Sequence, residues 1–317
     1  MSKPKHLAIV IPIHNEEQNI VPLVNRIEAS IARLTNYSCE LLFVDDGSVD
    51  NSVIKVKELM EQTLSASVTL VSLARNFGHQ AALEAGLANT NADVVITMDG
   101  DQQHPPEYIP AMVAAYEQGA EVVQMKRQNS VEDLKSMLAI TYYKFFNLVS
   151  PYPIVVNAAD FRLMNKAVVQ AILRIRIRGK YLRVLIPALG FKQVNMEYIQ
   201  EKRTLGKPSY NYYSLYLLAH YMLFKYTRFP IHVIMILGSF LLSVGILLSG
   251  YVGVSALLEG IGTSATNCIA PAFLFTLTGS LLVGVSILSW YIFFLIEQLR
   301  QDVDYIVSTV TSSNDPK

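Results

Sequence analysis

The chain has 317 residues, and its 26 Lys and Arg balance its 26 Asp and Glu, so no net field favours a nucleic acid. That length holds one α/β domain of about 200 residues and a further segment. Two cysteines, Cys39 and Cys268, exclude a disulfide framework and put the head on the reducing side of a membrane. The basic residues 1–6 run straight into a strand-like segment, with no apolar region or cleavage site of a signal peptide.

Short apolar runs of strand length lie at residues 7–11, 41–44, 69–73, 94–98 and 121–125. Between them, residues 19–34, 51–63, 79–89 and 105–118 are amphipathic and of helix length. That alternation predicts an α/β fold, a mostly parallel sheet with helices on both faces. Ligands of such sheets bind beyond the carboxyl ends of the strands. The polar clusters His14-Asn15-Glu16-Glu17, Asp45-Asp46-Gly47-Ser48, Arg75-Asn76-Phe77-Gly78 and Asp99-Gly100-Asp101 fall at those ends.

Each cluster has a chemical reading and a plainer one. Asp99 and Asp101, two apart beside a glycine, can face one hard cation such as Mg2+ or Mn2+, with Gln103 adding an oxygen. The next helix already has its start in Pro105-Pro106-Glu107, which leaves the two carboxylates without a structural task. Asp45 and Asp46 repel each other; one can bind a uracil imide or a ribose, or both can cap the helix near Asn51. Polar side chains of Ile11-Pro12-Ile13-His14-Asn15-Glu16-Glu17 can hydrogen-bond a base or ribose, or Asn15 and Glu17 can cap. His79 and His104 stand at helix starts and are given no catalytic role.

Residues 133–150 are apolar and aromatic on one side, as an ordinary packed helix or one lying in a membrane interface. Residues 210–226, rich in Tyr and Phe with His220 and Lys225, fit the interface better. Two uncharged stretches follow. Their apolar cores, 231–258 and 269–296, are each about 28 residues, or about 42 Å of helix. A hydrocarbon core of about 30 Å can be spanned by each with some tilt. Lys225, Arg228 and His232 flank the first and Arg300 follows the second, while residues 259–267 carry no Lys or Arg. The positive-inside rule then places the head and both termini in the cytoplasm, on an inner membrane. Trp290 and Tyr291 are expected interfacial anchors. The expected division is a head at 1–208, a juxtamembrane segment at 209–229, a two-helix anchor at 230–298 and a partly ordered tail at 299–317.

Pro-Ile-His-Asn-Glu-Glu (12–17), Val-Asp-Asp-Gly-Ser (44–48), Arg-Asn-Phe-Gly-His-Gln (75–80), Met-Asp-Gly-Asp-Gln-Gln-His-Pro-Pro-Glu (98–107) and Ala-Asp-Phe-Arg-Leu-Met (159–164) together resemble glycosyltransferase family 2. The resemblance is to its polyprenyl-phosphate branch, which holds the dolichol-phosphate mannose synthases, ArnC and GtrB. It covers nearly the whole chain, two-helix tail included. It implies a GT-A fold and inverting sugar transfer from a nucleotide sugar, UDP-glucose foremost, to a polyprenyl phosphate such as undecaprenyl phosphate. Carried over by motif, Pro12, Asn15, Glu16, Asp45 and Asp46 contact the nucleoside. Asp99, Asp101 and Gln103 surround a Mg2+ or Mn2+ on the diphosphate. Asp160 is the catalytic carboxylate, with a turn carboxylate paired to Arg162 as the plainer reading. Arg127, Arg203 and Lys207 match phosphate or acceptor positions. Arg178, Lys180 and Arg183 join them as the cations that two meeting anions require.

Three other classes fit the sequence less well. A nucleotide-sugar sensor would not need Asp160 and a cationic loop. Two spans without intramembrane charge offer no polar path for a flippase unless copies assemble into a homo-oligomer. A processive polysaccharide synthase would need a Gln-x-x-Arg-Trp motif in the head, and Trp290 is the only tryptophan.

Overall fold

The computed structural model describes residues 4–128, 134–151, 154–175, 180–201, 212–258, 262–299 and 305–314. Its chain divides into two compact units. The first takes in β1 (Lys5–Ile13), α1 (Ile20–Ile31), β2 (Tyr37–Asp45), α2 (Ser52–Met60), β3 (Ser67–Leu73), α3 (His79–Ala88) and β4 (Val94–Thr97). A 3-10 turn (Pro106–Tyr108), α4 (Ile109–Glu117), β5 (Val122–Arg127) and most of α5 (Leu134–Val149) come next. Then follow β6 (Ala158–Asn165), α6 (Lys166–Arg174), α7 (Leu182–Ala188), β7 (Gln193–Tyr198) and, after a long excursion, β8 (Val307–Ser312).

The eight strands form one sheet in the order β7-β5-β6-β4-β1-β2-β3-β8, and only β6 and β8 run antiparallel to the rest. The central strands are apolar throughout because both faces are covered. Along β1, Leu7, Ile9 and Ile11 pack with Leu23, Val24 and Ile27 of α1. Alternate residues Ala8 and Val10 join Ala82 and Leu83 of α3 and Val168 and Ile172 of α6 on the other face. Each such Leu, Ile or Val taken fully out of water contributes about 1.5–3 kcal/mol.

All five expected strands are present. β6, β7 and β8 were not anticipated. The tail, expected to be only partly ordered, supplies the edge strand β8 against β3, with Val71 opposite Val310. Backbone bonds continue past that ladder, Ala74 N–H to Ile306 O and Ser313 N–H to Val68 O.

The second unit consists mainly of α8 (Tyr212–Tyr226), α9 (Phe229–Leu258) and α10 (Thr263–Leu299). α9 and the Thr263–Ile296 part of α10 are long and apolar enough to cross a membrane, with mean hydropathies of 2.5 and 2.1. Their large side chains point mostly outward; Leu247 and Leu257 are 73% and 87% exposed. A soluble core helix would bury them. The two helices pack antiparallel through small residues. A Cβ on Gly245 would lie 2.5 Å from Thr276 N, and one on Gly279 would lie 2.7 Å from Leu242 Cα. At one end of the pair the Arg228 guanidinium lies 4.5 Å over the Trp290 ring, which suits an interfacial anchor.

Candidate active site

β1 and β4 are neighbours, whereas the chain steps from β1 to β2 and β3 on the other side. The carboxyl ends of β1 and β4 therefore meet at the point where the strand order reverses, which is where such sheets hold ligands. Every expected site residue in the described part of the chain lies at this edge or on an element reaching it. Arg203 and Lys207 lie outside the described residues, as does Arg178.

On the β1–β2 side the loops are tied to each other. Asn15 takes a left-handed backbone, φ 56°, which an Asn tolerates better than most residues. Its Oδ1 accepts from Val49 N–H at 2.8 Å, and its own N–H donates to Ser48 Oγ at 3.0 Å. Glu16 accepts from Asn19 Nδ2 at 2.5 Å. Asp45, nearly buried, accepts from Ser48 N–H at 3.0 Å. Asp46, equally buried, accepts Phe77 N–H at 2.7 Å and Gly78 N–H at 2.9 Å, one on each oxygen. Burial nonetheless pushes its carboxyl above the usual range, against those two bonds. Asp46 thus anchors the loop after β3. Gly47 makes the approach possible: its φ is 70°, and a Cβ there would meet Arg75 C and Asn76 N at 2.7 Å. The Pro12 carbonyl lies against the turn after β4, since a Cβ on Gly100 would fall 3.2 Å from its oxygen.

At the end of β4, Asp99 Oδ1 is buried and makes no hydrogen bond among the described residues, its nearest cationic group being the His79 ring at 3.4 Å. Asp101 accepts from Gln103 N–H at 3.1 Å, and the Gln103 amide oxygen is taken by Gln200 Nε2. Among the described residues no three His, Cys, Asp or Glu side chains gather into a metal cage. A small divalent cation usually takes one or two carboxylates and completes its shell with substrate phosphates and water. Asp99, whose Oδ1 makes no hydrogen bond among the described residues, and Asp101 two residues on fit that mode, whereas Gln103 is engaged elsewhere.

Asp160 enters from β6. The β5–β6 register jumps from Gln124↔Arg162 to Lys126↔Ala158, so β6 bulges around Asp160 and re-aims it. Gln124 Nε2 fills the bulge by donating to Ala159 O at 2.7 Å, and Thr97 Oγ1 donates to Asp160 O at 2.8 Å. The Asp160 carboxylate, 4% exposed, is surrounded by donors. Oδ1 accepts from Arg162 Nη2 at 2.6 Å and Arg183 Nε at 3.3 Å; Oδ2 accepts from Arg183 Nη2 at 2.8 Å and Gln80 Nε2 at 3.3 Å. Burial alone would raise its pKa, but Arg183, His79 and Arg162 outweigh that and hold it well below the usual carboxylate range.

His79 joins the two acidic centres: its Nε2 is 3.4 Å from Asp99 Oδ1 and 3.5 Å from Asp160 Oδ2. His104 is buried, accepts from Asp99 N–H through Nδ1 at 2.9 Å and stacks on Phe161 with ring centroids 5.2 Å apart. Arg127 ends β5 opposite Tyr198, its Nε buried without a partner. Sequence reasoning gives His79 no catalytic role and does not single out Gln80 or Gln200. The first two carried a signal, since they close the Arg-Asn-Phe-Gly-His-Gln cluster just past a strand end; Gln200 carried none.

A family model described as Glycosyl transferase family 2 matches residues 8–173. The SfII prophage-derived bactoprenol glucosyl transferase of Shigella flexneri is 30% identical over 306 residues, 95% of this chain and 97% of its own. Undecaprenyl-phosphate 4-deoxy-4-formamido-L-arabinose transferase of Photorhabdus laumondii is 30% identical over 315 residues, 98% of this chain and 95% of its own. A looser likeness, at 19% identity and TM-score 0.46, covers 68% of this chain and 76% of glucosyl-3-phosphoglycerate synthase from Mycobacterium tuberculosis, in complex with Mn2+, UDP-glucose and phosphoglyceric acid. The head has the mostly parallel sheet of a GT-A fold, and the two apolar helices lie inside the span shared with the full-length relatives. The chain belongs to glycosyltransferase family 2, in its polyprenyl-phosphate branch.

Proposed function

We propose that this glycosyltransferase moves a sugar from a nucleotide sugar, UDP-glucose foremost, to a polyprenyl phosphate such as undecaprenyl phosphate, with inversion at the anomeric carbon. The products are the polyprenyl-phosphate sugar and UDP. The observation that carries this reading is the meeting of Asp99 and Asp160 through His79 at the strand-order reversal. The names of the full-length relatives support the lipid acceptor, and α9 and α10 supply a means of holding the enzyme at a bilayer.

In this reading the loops carrying Pro12, Asn15, Glu16, Asp45 and Asp46 form the nucleoside pocket. Their hydrogen bonds to one another give it a fixed shape, and Asp46 acts through the loop it anchors. Asp99 and Asp101 would hold Mg2+ or Mn2+, which neutralises charge on the departing diphosphate when bound. Arg127 faces the diphosphate, and Arg203 and Lys207 serve the phosphates. Asp160 stands at the reaction centre on the acceptor side. A lipid phosphate, with a second pKa of about 6, is already a nucleophile at neutral pH and needs little help from a base.

The proposed setting is the cytoplasmic face of an inner membrane. Both ends of the α9–α10 pair join the first unit, through residues 202–228 on one side and β8 on the other. An antiparallel pair meets that requirement by crossing twice. The deciding experiment incubates purified protein with undecaprenyl phosphate and a panel of nucleotide sugars and weighs the lipid product. A mass gain of one hexose from UDP-glucose is expected; no lipid-linked sugar from any donor would overturn the reading.

A further inference from the structure

We infer that Arg183 is the side chain that grips the acceptor phosphate, and that Asp160 is its positioning residue rather than a general base. The inference deepens the reading above and rests on it, since it takes the acceptor to be a phosphate monoester.

A carboxylate offers about four lone-pair positions. At Asp160 four donor nitrogens already occupy them, from Arg162, Arg183 (twice) and Gln80. A base must have a vacant lone pair facing the proton it takes. Nor is an oxyanion drawn to a carboxylate, and the depressed pKa of Asp160 makes it a poor proton acceptor.

Arg183 has what Asp160 lacks. Its Nε and Nη2 make a side-on pair with Asp160, leaving the end fork of Nη1 and the second Nη2 hydrogen unspent among the described residues. Its side chain is 20% exposed, whereas Arg162 behind Asp160 is fully buried. An end fork of two parallel N–H groups matches two oxygens of a phosphate. The backbone that carries Arg183 is pinned from α3: Gln80 Oε1 accepts Leu182 N–H at 3.1 Å, and Glu84 forms a buried ion pair with Lys180. The line Arg162–Asp160–Arg183 therefore presents one rigid, net positive fork beside Asp99.

The step balances without an enzyme base. One oxygen of the phosphate dianion forms a bond to the anomeric carbon as that carbon's bond to the diphosphate oxygen breaks. The bonding pair leaves on the nucleoside diphosphate, and the lipid product is a phosphodiester monoanion. No proton moves.

The test uses the full-length protein in detergent with undecaprenyl phosphate, after wild-type transfer is established; absence of wild-type transfer would sink the functional reading itself. Arg183→Gln should raise the acceptor KM and lower kcat/KM by about 10²-fold or more, with UDP affinity unchanged as the check on folding. Arg183→Lys, which keeps charge but loses the fork, should fall between. Asp160→Asn should act on the acceptor KM as Arg183→Gln does, and the double variant should be no worse than Arg183→Gln alone. The pH profile of kcat/KM should follow the phosphate, shifting when a prenyl phosphonate replaces the phosphate, in wild type and Asp160→Asn alike. An unchanged acceptor KM in Arg183→Gln would overturn the assignment. So would a pH limb that vanishes only in Asp160→Asn, or effects of the two variants that multiply. Should Asp160→Asn fail the UDP check, the two Arg183 variants and the phosphonate profile decide.

Discussion

At the scale of single residues, the site separates groups that face a ligand from groups that hold the wall. Asp101 is proposed to be of the first kind. Transfer should require Mg2+ or Mn2+, and Asp101→Asn should lower turnover at least about 10²-fold, as when a charge-stabilising group is lost; turnover undiminished in EDTA would contradict this. Asp46 belongs to the second kind. An Asn there keeps one acceptor oxygen and turns an NH2 group towards a backbone N–H of Phe77 or Gly78. Leaving that donor unpaired costs about 1–3 kcal/mol. Asp46→Asn should thus weaken UDP binding about tenfold in a calorimetric titration, although its side chain need not touch the nucleotide. Neither carboxylate caps α2, the plainer reading of Asp45-Asp46: Asp45 takes Ser48 N–H, short of that helix, and Asp46 takes Phe77 and Gly78 N–H.

At the scale of elements, the helical pair depends on close backbone approach. A Cβ on Gly279 would fall 2.7 Å from Leu242 Cα and 2.8 Å from Gly238 O, while nothing lies within 4 Å of one on Gly250 or Gly253. Apolar side chains gain nothing from water exclusion inside lipid, so packing decides association there. Gly279→Val should lower the melting temperature of the detergent-purified protein by several degrees, a cost of about 1–3 kcal/mol for overpacking. Gly250→Val should leave it unchanged, and equal shifts for the two would show that this seam does not hold the pair. Helix α5 follows the same logic of faces: Phe146 is buried, while Met137, Leu138 and Leu148 stay exposed on the described part of the helix.

At the scale of the whole molecule, β8 changes what a head without its anchor must contain. Removing everything after Thr227 would strip β3 of its outer partner, β8, and leave an unpaired apolar edge, a template for aggregation. That truncation should unfold at lower urea and aggregate, whereas a version with a Gly-Ser linker replacing 229–303 should stay monomeric and bind UDP. Equal urea midpoints would make β8 dispensable. The proposed orientation is checked by thiol labelling of Cys-free protein in sealed inverted vesicles. Val49→Cys, at a 90% exposed site of the head, should react with an impermeant reagent. Thr263→Cys, at the start of α10, should react only after the vesicles are opened.

The sequence by itself determined the alternating α/β head, its five main strands, the polar clusters at one sheet edge and the two apolar helices. All are written in local periodicity, in turn residues and in uncharged length, which neighbours along the chain impose on one another. It named Asp99 and Asp160 through motifs, without a way to know that one histidine spans them. Tertiary structure alone decided that pairing, because 61 positions separate the two aspartates and an antiparallel strand with a bulge brings them level. It also decided that Asp160 is fully hydrogen-bonded and that Arg183, one of several candidate cations, keeps a free fork among the described residues. The tail strand was illegible for the same reason: a short Val-Ser-Thr-Val-Thr-Ser run becomes a strand only when the open edge of β3 accepts its backbone bonds.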